Sequence, residues 1–150
     1  MCLKPFEGAR IYCVAPSPSF NNSLHYYRPN LNNTSVVVRV QYERISFLFA
    51  GDAEKDAETA MVSQYGSFLR STVLKTGHHG SETSSSQEFL DAVHPEHAII
   101  SVGRFNVFGH PSADVIARLH DMPSEVSRTD EDGAIMFESD GTTLSRVDWR

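Results

Sequence analysis

The chain has 150 residues, a hydrophobic share of 40%, a charged share of 21% and a formal net charge of -6. This length suits a single domain, residues 1–150, with a buried core, and no apolar run is long enough to cross a bilayer. The acidic balance excludes the extended basic face with which proteins usually grip nucleic acid. It leaves room for a metal-dependent nuclease, because a bound cation reverses the local field.

The N-terminal segment lacks the apolar core and cleavage site of a signal peptide, so we expect a cytoplasmic protein without a membrane segment. Cys2 and Cys13 are too few for a disulfide framework or a four-ligand zinc site, and we expect free thiols. Sequons begin at Asn21, Asn32 and Asn33 and would matter only in a secreted protein.

β-Favouring runs predict the elements of the first third of the chain. Residues Ala9–Ala15 alternate as a strand, and a long loop follows as far as Asn33. Thr34–Val40 and Ile45–Ala50 are rich in β-branched and aromatic residues and predict an antiparallel hairpin.

The segment Gly51-Asp52-Ala53-Glu54 marks a change from strand to helix periodicity. A helix after it would turn one apolar face to the sheet: Ala53, Ala57, Ala60, Met61, Tyr65, Phe68 and Leu69. Its polar face would meet water: Glu54, Lys55, Glu58 and Thr59.

Short strands and helices alternate in the rest of the chain. Thr72–Lys75 predicts a strand, and Ser85-Ser86-Gln87-Glu88 has the capping-box pattern before a helix that Pro95 ends. Strands are also predicted at 97–102, 125–128, 134–138 and 142–147, a loop at 103–111 and a helix at 113–120. This order predicts an α/β (α+β) protein with a mixed sheet and helices on its faces.

The segment Gly77-His78-His79-Gly80-Ser81 places two imidazoles side by side at a predicted strand end, where α/β sheets usually carry their chemistry. Glycines on both sides would let a metal or substrate approach the backbone closely. The alternative interpretation is a polar turn without a ligand.

Other loops at predicted strand ends carry further polar side chains: Asp52, Arg104, His110 and Asp130. An aspartate after one strand and a histidine after another can supply oxygen and nitrogen ligands to zinc or manganese. Each residue has a plainer interpretation too.

Asp52 could only cap the following helix, and His110 could only rigidify the start of the third helix. Asp130 and Asp132 fit a turn, which is the favoured interpretation. We interpret the remaining histidines as structural or surface residues: His25, His94, His97 and His120. Ser81 beside the histidine pair permits a weakly supported Ser/His nucleophile.

Six segments, in this order, resemble the metallo-β-lactamase-like domain of the DNA-internalisation competence protein ComEC and its stand-alone soluble relatives. They are 32–38, 47–54, 73–85, 99–104, 109–111 and 128–134, which include Gly51-Asp52, Gly77-His78-His79-Gly80-Ser81 and Gly109-His110-Pro111. The resemblance covers nearly the whole chain.

The resemblance implies an αββα sandwich with one or two divalent metals, zinc or manganese, at the strand ends. It implies that Asp52 is the aspartate that bridges the metals and that the histidine pair supplies the last histidine ligand. His78, which directly follows Gly77, is the preferred ligand, and His79 is the alternative or a partner that orients it. His110 is a further candidate.

The family's His-x-His-x-Asp-His signature is absent from this sequence. The chain therefore resembles the C-terminal part of the fold, with the N-terminal half missing. Its own positions offer two to four metal ligands, enough for one loosely held ion and too few for the family's two-metal centre.

Two functions follow from the resemblance. The first is a ComEC-like metal-dependent hydrolase of phosphodiester bonds, a nuclease type linked to competence and DNA uptake, completed by a missing segment or a partner chain. The second is a non-catalytic, truncated module that forms homo-oligomers or binds a partner over the sheet face its missing half would cover.

Overall fold

The structure, a computed structural model, describes residues 2–3, 8–16 and 30–148. Its strands are β1 (Cys2–Leu3), β2 (Ala9–Ala15), β3 (Val37–Tyr42), β4 (Ile45–Phe49), β5 (Val73–Lys75), β6 (His97–Ile100), β7 (Glu125–Arg128), β8 (Met136–Ser139) and β9 (Leu144–Val147). Its helices are α1 (Lys55–Tyr65), α2 (Gln87–Val93), α3 (Ala113–His120) and the single turn α4 (Thr129–Asp132).

Parts of the predictions fall outside the described residues. They are the side chain of Cys2, His25, the sequon at Asn21 and residues 17–29 of the predicted loop. Cys13 is a free thiol, as predicted. None of the helices within the described ranges is long and apolar enough to span a bilayer.

Seven strands form one sheet in the order β1 to β7, and β8 and β9 pair separately as a ribbon. The strands from β1 to β4 pair in antiparallel fashion, and those from β4 to β7 pair in parallel. The predicted mixed sheet and hairpin are therefore confirmed. The ends of the parallel strands meet at one edge of the sheet.

One apolar core joins the sheet to the three longer helices. Buried strand residues such as Leu48, Leu74 and Ile100 share one cluster with residues of α1, α2 and α3. Phe89, Leu90 and Val93 are completely buried, as the predicted apolar face of α2 requires. The α/β class with flanking helices is confirmed.

Helix α1 departs from its predicted faces. Glu54 and Glu58, predicted to face water, are 8% and 0% exposed. The helix ends at Gly66, which has a φ of 49°. Phe68 therefore lies outside the helix and remains 39% exposed, with its ring 5.1 Å from that of Tyr12.

Glu58 is buried because it caps the next helix. Its carboxylate accepts hydrogen bonds from the backbone N–H groups of Ser85 at 2.6 Å and Ser86 at 2.8 Å. The predicted capping box is wrong, since the side chain of Ser86 makes no capping bond. A carboxylate from α1 satisfies the amides that precede α2 instead.

The chain between β2 and β3 turns before it becomes a strand. Residues Leu31–Thr34 form a 3-10 turn, so β3 begins at Val37 and not at the predicted Thr34. The side chain of buried Asn33 accepts hydrogen bonds from the N–H groups of Glu54 at 3.0 Å and Ala57 at 3.3 Å. This amide therefore caps α1 from a distant part of the sequence.

Candidate metal site at the strand ends

The candidate site lies where β4, β5 and β6 end. Residue pairs Phe49–Lys75 and Lys75–Ile99 align the ends of these parallel strands. Asp52 follows β4, and the histidine pair follows β5 after Thr76 and Gly77. The pair therefore lies at a strand end, as predicted.

Both histidines have a left-handed backbone. The φ and ψ angles are 42° and 46° at His78 and 54° and 24° at His79. Each such conformation costs an L-residue roughly 1–2 kcal/mol. Hydrogen bonds from His78 N–H to the Gly51 carbonyl (3.0 Å) and from Ser81 N–H to the His78 carbonyl (2.9 Å) hold the turn. Strain held in this way is concentrated at functional sites.

The flanking glycines serve contacts within the protein. A Cβ on Gly77 would lie 2.6 Å from the carbonyl oxygen of Ala53, and one on Gly80 would lie 2.8 Å from Cβ of Pro111. The predicted role, close approach of a metal or substrate to the backbone, is wrong because protein atoms fill both spaces. The glycines let three segments pack tightly around the histidine pair.

Asp52 and His79 face each other. Nε2 of His79 lies 3.8 Å from Oδ1 of Asp52, and both side chains are about half exposed. Nδ1 of His79 lies 2.7 Å from the carbonyl oxygen of Ser101. A carbonyl only accepts, so Nδ1 carries the proton and Nε2 of the neutral ring keeps its lone pair for a ligand.

Asp52 is not the N-cap of α1, because Glu54 occupies that position. The backbone N–H of Asp52 donates a hydrogen bond to the hydroxyl of Ser35 at 3.2 Å. The plain interpretation of Asp52 as a helix cap is therefore wrong.

His78 is oriented by a buried carboxylate. Its Nδ1 lies 2.9 Å from Oε1 of Glu54, which also accepts from the side-chain amide of Asn32 at 2.8 Å. Burial pushes the pKa of Glu54 up, but hydrogen bonds from Asn32, Asn30 and Thr83 outweigh burial and leave the pKa below its usual range. Glu54 is thus a carboxylate that accepts the Nδ1 proton, and Nε2 of His78 is also available.

His110 completes the group of rings. Its ring centroid is 5.4 Å from that of His78 in an edge-to-face arrangement. Burial lowers the pKa of His110, and the electrostatic influence of the nearby His78 and His79 lowers it further. Asn106 holds the loop, because its side chain bonds both the N–H (3.0 Å) and the carbonyl (2.7 Å) of His110.

Three other sequence candidates do not join this group. Asp130 forms a bidentate pair with Arg128, at 3.2 and 2.7 Å. Arg104 donates to the backbone carbonyl of Asp130 at 3.0 Å. The hydroxyl of Ser81 lies 3.0 Å from that of Thr83, and among residues 2–3, 8–16 and 30–148 no hydrogen bond joins it to a histidine.

Sequence reasoning missed Glu54, Asn30 and Asn32, the residues that orient His78. Glu54 follows Asp52 by two residues, and its helical period predicts a solvated face. Its burial depends on amides more than twenty residues away in sequence, so no local signal identifies it.

The loop from Gly103 to Pro111 presents apolar side chains to solvent. Phe105 is 91% exposed, Val107 88% and Phe108 78%. The Phe108 ring stacks on that of His110 at 6.1 Å. A loop held by Asn106 therefore displays two aromatic rings beside the histidine group.

Residues 22–104 match the sequence pattern described as the metallo-beta-lactamase superfamily, which is more than half of the chain. This chain belongs to the metallo-β-lactamase superfamily. Similar proteins include Competence protein ComA of Neisseria gonorrhoeae, 42% identical over 139 residues, which cover 88% of this chain and 20% of that protein.

Two further relatives also match most of this chain and a small part of their own length. ComE operon protein 3 of Bacillus subtilis is 36% identical over 106 residues, covering 71% of this chain and 14% of that protein. Recombination protein 2 of Haemophilus influenzae is 34% identical over 137 residues, covering 86% and 17%. The chain spans 20% or less of the length of these relatives, and the predicted resemblance is confirmed.

Metallo-β-lactamase family members generally bind divalent metals, which oxygen and nitrogen donors hold. Asp52 Oδ1 and His79 Nε2, 3.8 Å apart, are an oxygen and a nitrogen donor of the kinds that zinc binds. Within residues 2–3, 8–16 and 30–148, no three His, Cys, Asp or Glu side chains are placed to hold a metal ion together. The donor atoms are therefore of the right chemical type for a metal ion, but they are fewer than a complete metal site requires.

Proposed function

We propose that this chain supplies one part of a metal-dependent phosphodiesterase site that acts on single-stranded nucleic acid. The observation that carries the proposal is the pairing of Asp52 with His79 at 3.8 Å, next to His78, with the Nδ1 atoms of both histidines already occupied. Both rings thereby present Nε2, the protonation pattern that a metal ligand needs.

The residues would act in named roles. Asp52 and His79 would hold a zinc or manganese ion, and His78 and His110 are the next candidates for its ligands. Such an ion, when bound, polarises a phosphoryl oxygen and activates water. Glu54 would orient His78, and the Ser101 carbonyl would orient His79.

The exposed loop supports nucleic acid as the substrate. Phe105 and Phe108 lie on the loop that carries His110, and aromatic rings bind unpaired bases by stacking. The names of two relatives, a competence protein and a recombination protein, favour the same substrate class. An acidic chain without a broad basic face would depend on base stacking and on the metal ion to bind nucleic acid.

A zinc site usually has three or four protein ligands. Because this sequence lacks His-x-His-x-Asp-His, we infer that the remaining ligands come from a partner chain or from another part of a longer protein. Catalysis would then require the completed site, whereas weak metal binding would not.

The test measures metal binding and turnover separately. The chain would be dialysed against zinc or manganese, and its metal content and its cleavage of a single-stranded oligonucleotide and of a bis-aryl phosphate would be measured. We expect about one bound ion per chain, lost in Asp52→Asn and in His79→Ala. Because turnover requires the completed site, absence of metal binding would by itself refute the proposal.

The matched control is Asp56→Asn. Asp56 is exposed in the first turn of α1 and carries the same charge as Asp52, but lies outside the histidine group. It should keep the metal. Equal losses in Asp52→Asn and Asp56→Asn would point to a general charge effect and contradict the assignment.

A second candidate function is a non-catalytic module that forms oligomers. A groove of 250 Å³ on the sheet is lined mainly by apolar residues: Phe47, Leu48, Phe49, Val73, Lys75, Ile99, Ile135 and Phe137. Phe49 is 44% exposed, and such a face favours association. A dimer in sedimentation that Phe49→Ser abolishes, in a chain without metal binding, would favour this function over the first.

A further inference from the structure

A polar cleft of 340 Å³ opens at the edge of the sheet opposite the histidine group, where β4, β5 and β6 begin. Its walls carry three arginines and several hydroxyl groups: Arg39, Arg44, Arg70, Ser46, Ser71 and Thr72. Glu96 is the acidic residue of the lining. A local excess of positive charge therefore stands out in a chain whose net charge is -6.

Arg39 is a buried cation without an acidic partner among the described residues. It is 7% exposed, and its Nε and Nη2 donate to the Arg70 carbonyl at 3.3 and 3.0 Å, while Nη1 donates to Gln41 at 2.9 Å. The ion pairs within the described ranges do not include Arg39. Burial lowers the pKa of Arg39, which reflects the cost of holding this charge away from water.

The other two arginines of the cleft have guanidinium groups available for a ligand. Arg44 and Arg70 are exposed, and within the described part of the chain neither side chain has a hydrogen bond or ion pair. All three arginines line the same cleft, and each guanidinium carries N–H donors. The planar fork of arginine suits the oxygens of a phosphate or a carboxylate.

Two hydroxyl groups add donors at the wall of the cleft. The Thr72 hydroxyl accepts from the Ser46 N–H at 3.2 Å, and the Ser46 hydroxyl accepts from the Thr72 N–H at 3.4 Å. Each hydroxyl thus uses a lone pair and keeps its own proton for another acceptor. Donors on two walls suit the several oxygens of a phosphate better than the two of a carboxylate.

We propose that this cleft binds the phosphate group of a small phosphorylated molecule, with Arg44 and Arg70 contacting the phosphate and Arg39 supplying the buried charge beneath it. A volume of 340 Å³ is at the lower end of small-molecule sites, which span roughly 300–1,000 Å³. A small phosphate monoester fits this volume.

The test uses the metal-free chain at low ionic strength, titrated with inorganic phosphate, with adenosine monophosphate and with acetate. Nuclear magnetic resonance would follow the amides of Ser46 and Thr72 in the cleft and those of Gly77 and Gly80 beside the histidine pair. We expect both phosphates to shift the cleft amides with dissociation constants on the order of 1 mM or tighter. Acetate should bind at least tenfold more weakly.

The double variant Arg44→Gln and Arg70→Gln should weaken phosphate binding at least tenfold. Lys55→Gln removes an exposed cation elsewhere and should leave binding within twofold of the unchanged chain. Circular dichroism without ligand would check that each variant is folded; both arginines are exposed, so their replacement spares the core.

Three results would overturn the proposal: no shift with either phosphate, binding that survives in the double variant, or acetate binding as tight as phosphate. Shifts confined to Gly77 and Gly80 would likewise overturn it, since they place the anion at the other edge of the sheet. The metal site and the cleft are tested by different variants, so either can fail while the other stands.

Discussion

Oε1 of Glu54 lies 2.9 Å from Nδ1 of His78, and the carbonyl of Ser101 lies 2.7 Å from Nδ1 of His79. Each of these adjacent histidines thus carries its proton on Nδ1, and each proton is donated to a different acceptor. The left-handed backbone at both positions turns the two rings apart, with centroids separated by 6.4 Å. The pair is therefore arranged to present two Nε2 atoms, and each can be tested separately.

Replacing Glu54 with glutamine should lower metal affinity without removing the ligands. The amide oxygen can still accept the His78 proton but loses the charge that raises the basicity of the ring. Loss of such an orienting carboxylate typically costs 10- to 100-fold in metal affinity. Isothermal titration with zinc would measure the change, and Asp56→Asn would serve as the charge-matched control. An unchanged affinity would mean that His78 is not a ligand.

The aromatic loop gives a prediction about substrate binding. Phe105→Ala and Phe108→Ala should each weaken binding of a single-stranded oligonucleotide, because base stacking on one ring contributes about 1–3 kcal/mol. Fluorescence anisotropy would measure the dissociation constants, with Met136→Ala as the control for an exposed apolar side chain on another element. If both aromatic variants bind like the control, the loop does not stack on bases.

Periodicity and turn signals predicted the mixed sheet, the three longer helices and the histidine pair at a strand end, since each depends on local sequence. The failures share one physical cause. Glu54 and Glu58 have the spacing of a solvated face, but distant groups, Asn32 for one and the Ser85 and Ser86 amides for the other, bury them. Burial of a carboxylate depends on tertiary partners, which a helical period does not encode.

Asn33 should matter for stability beyond its size. Asn33→Ala would leave the N–H groups of Glu54 and Ala57 without their acceptor, and a buried unsatisfied donor costs about 1–3 kcal/mol. Urea unfolding would measure the loss. Thr34→Ala, at a partly buried position in the same turn, removes only a solvent-exposed hydrogen bond to the Leu31 carbonyl and should change the free energy of unfolding by less than about 0.5 kcal/mol. Equal effects would show that the turn itself, and not the cap, is important.

Glu58 should make stability depend on pH in a sense opposite to that of most carboxylates. Burial raises its pKa, despite hydrogen bonds from Ser86 and Ser85 and the charge of Arg118. The folded protein therefore binds this proton more tightly than the unfolded chain does, whose carboxyl titrates near about 4.3. The contribution of Glu58 is complete below that pH and declines as the pH rises through the raised pKa.

Glu58→Gln should remove this dependence, because the amide does not titrate. Urea unfolding of both proteins, in steps from about pH 4 to 8, isolates the effect as the difference between two curves. The hydrogen bond to Arg128 lowers the pKa of Asp130, so the stability that Asp130 contributes is lost as the pH falls. This contribution is the same in both proteins and cancels in the difference between their curves. We expect the unfolding free energy of the unchanged chain to decline relative to that of the Glu58→Gln variant as the pH rises. The control, Glu88→Gln, changes an exposed residue of α2 and should show no such trend. A difference between the unchanged chain and Glu58→Gln that does not vary with pH would contradict a raised pKa at the buried carboxyl.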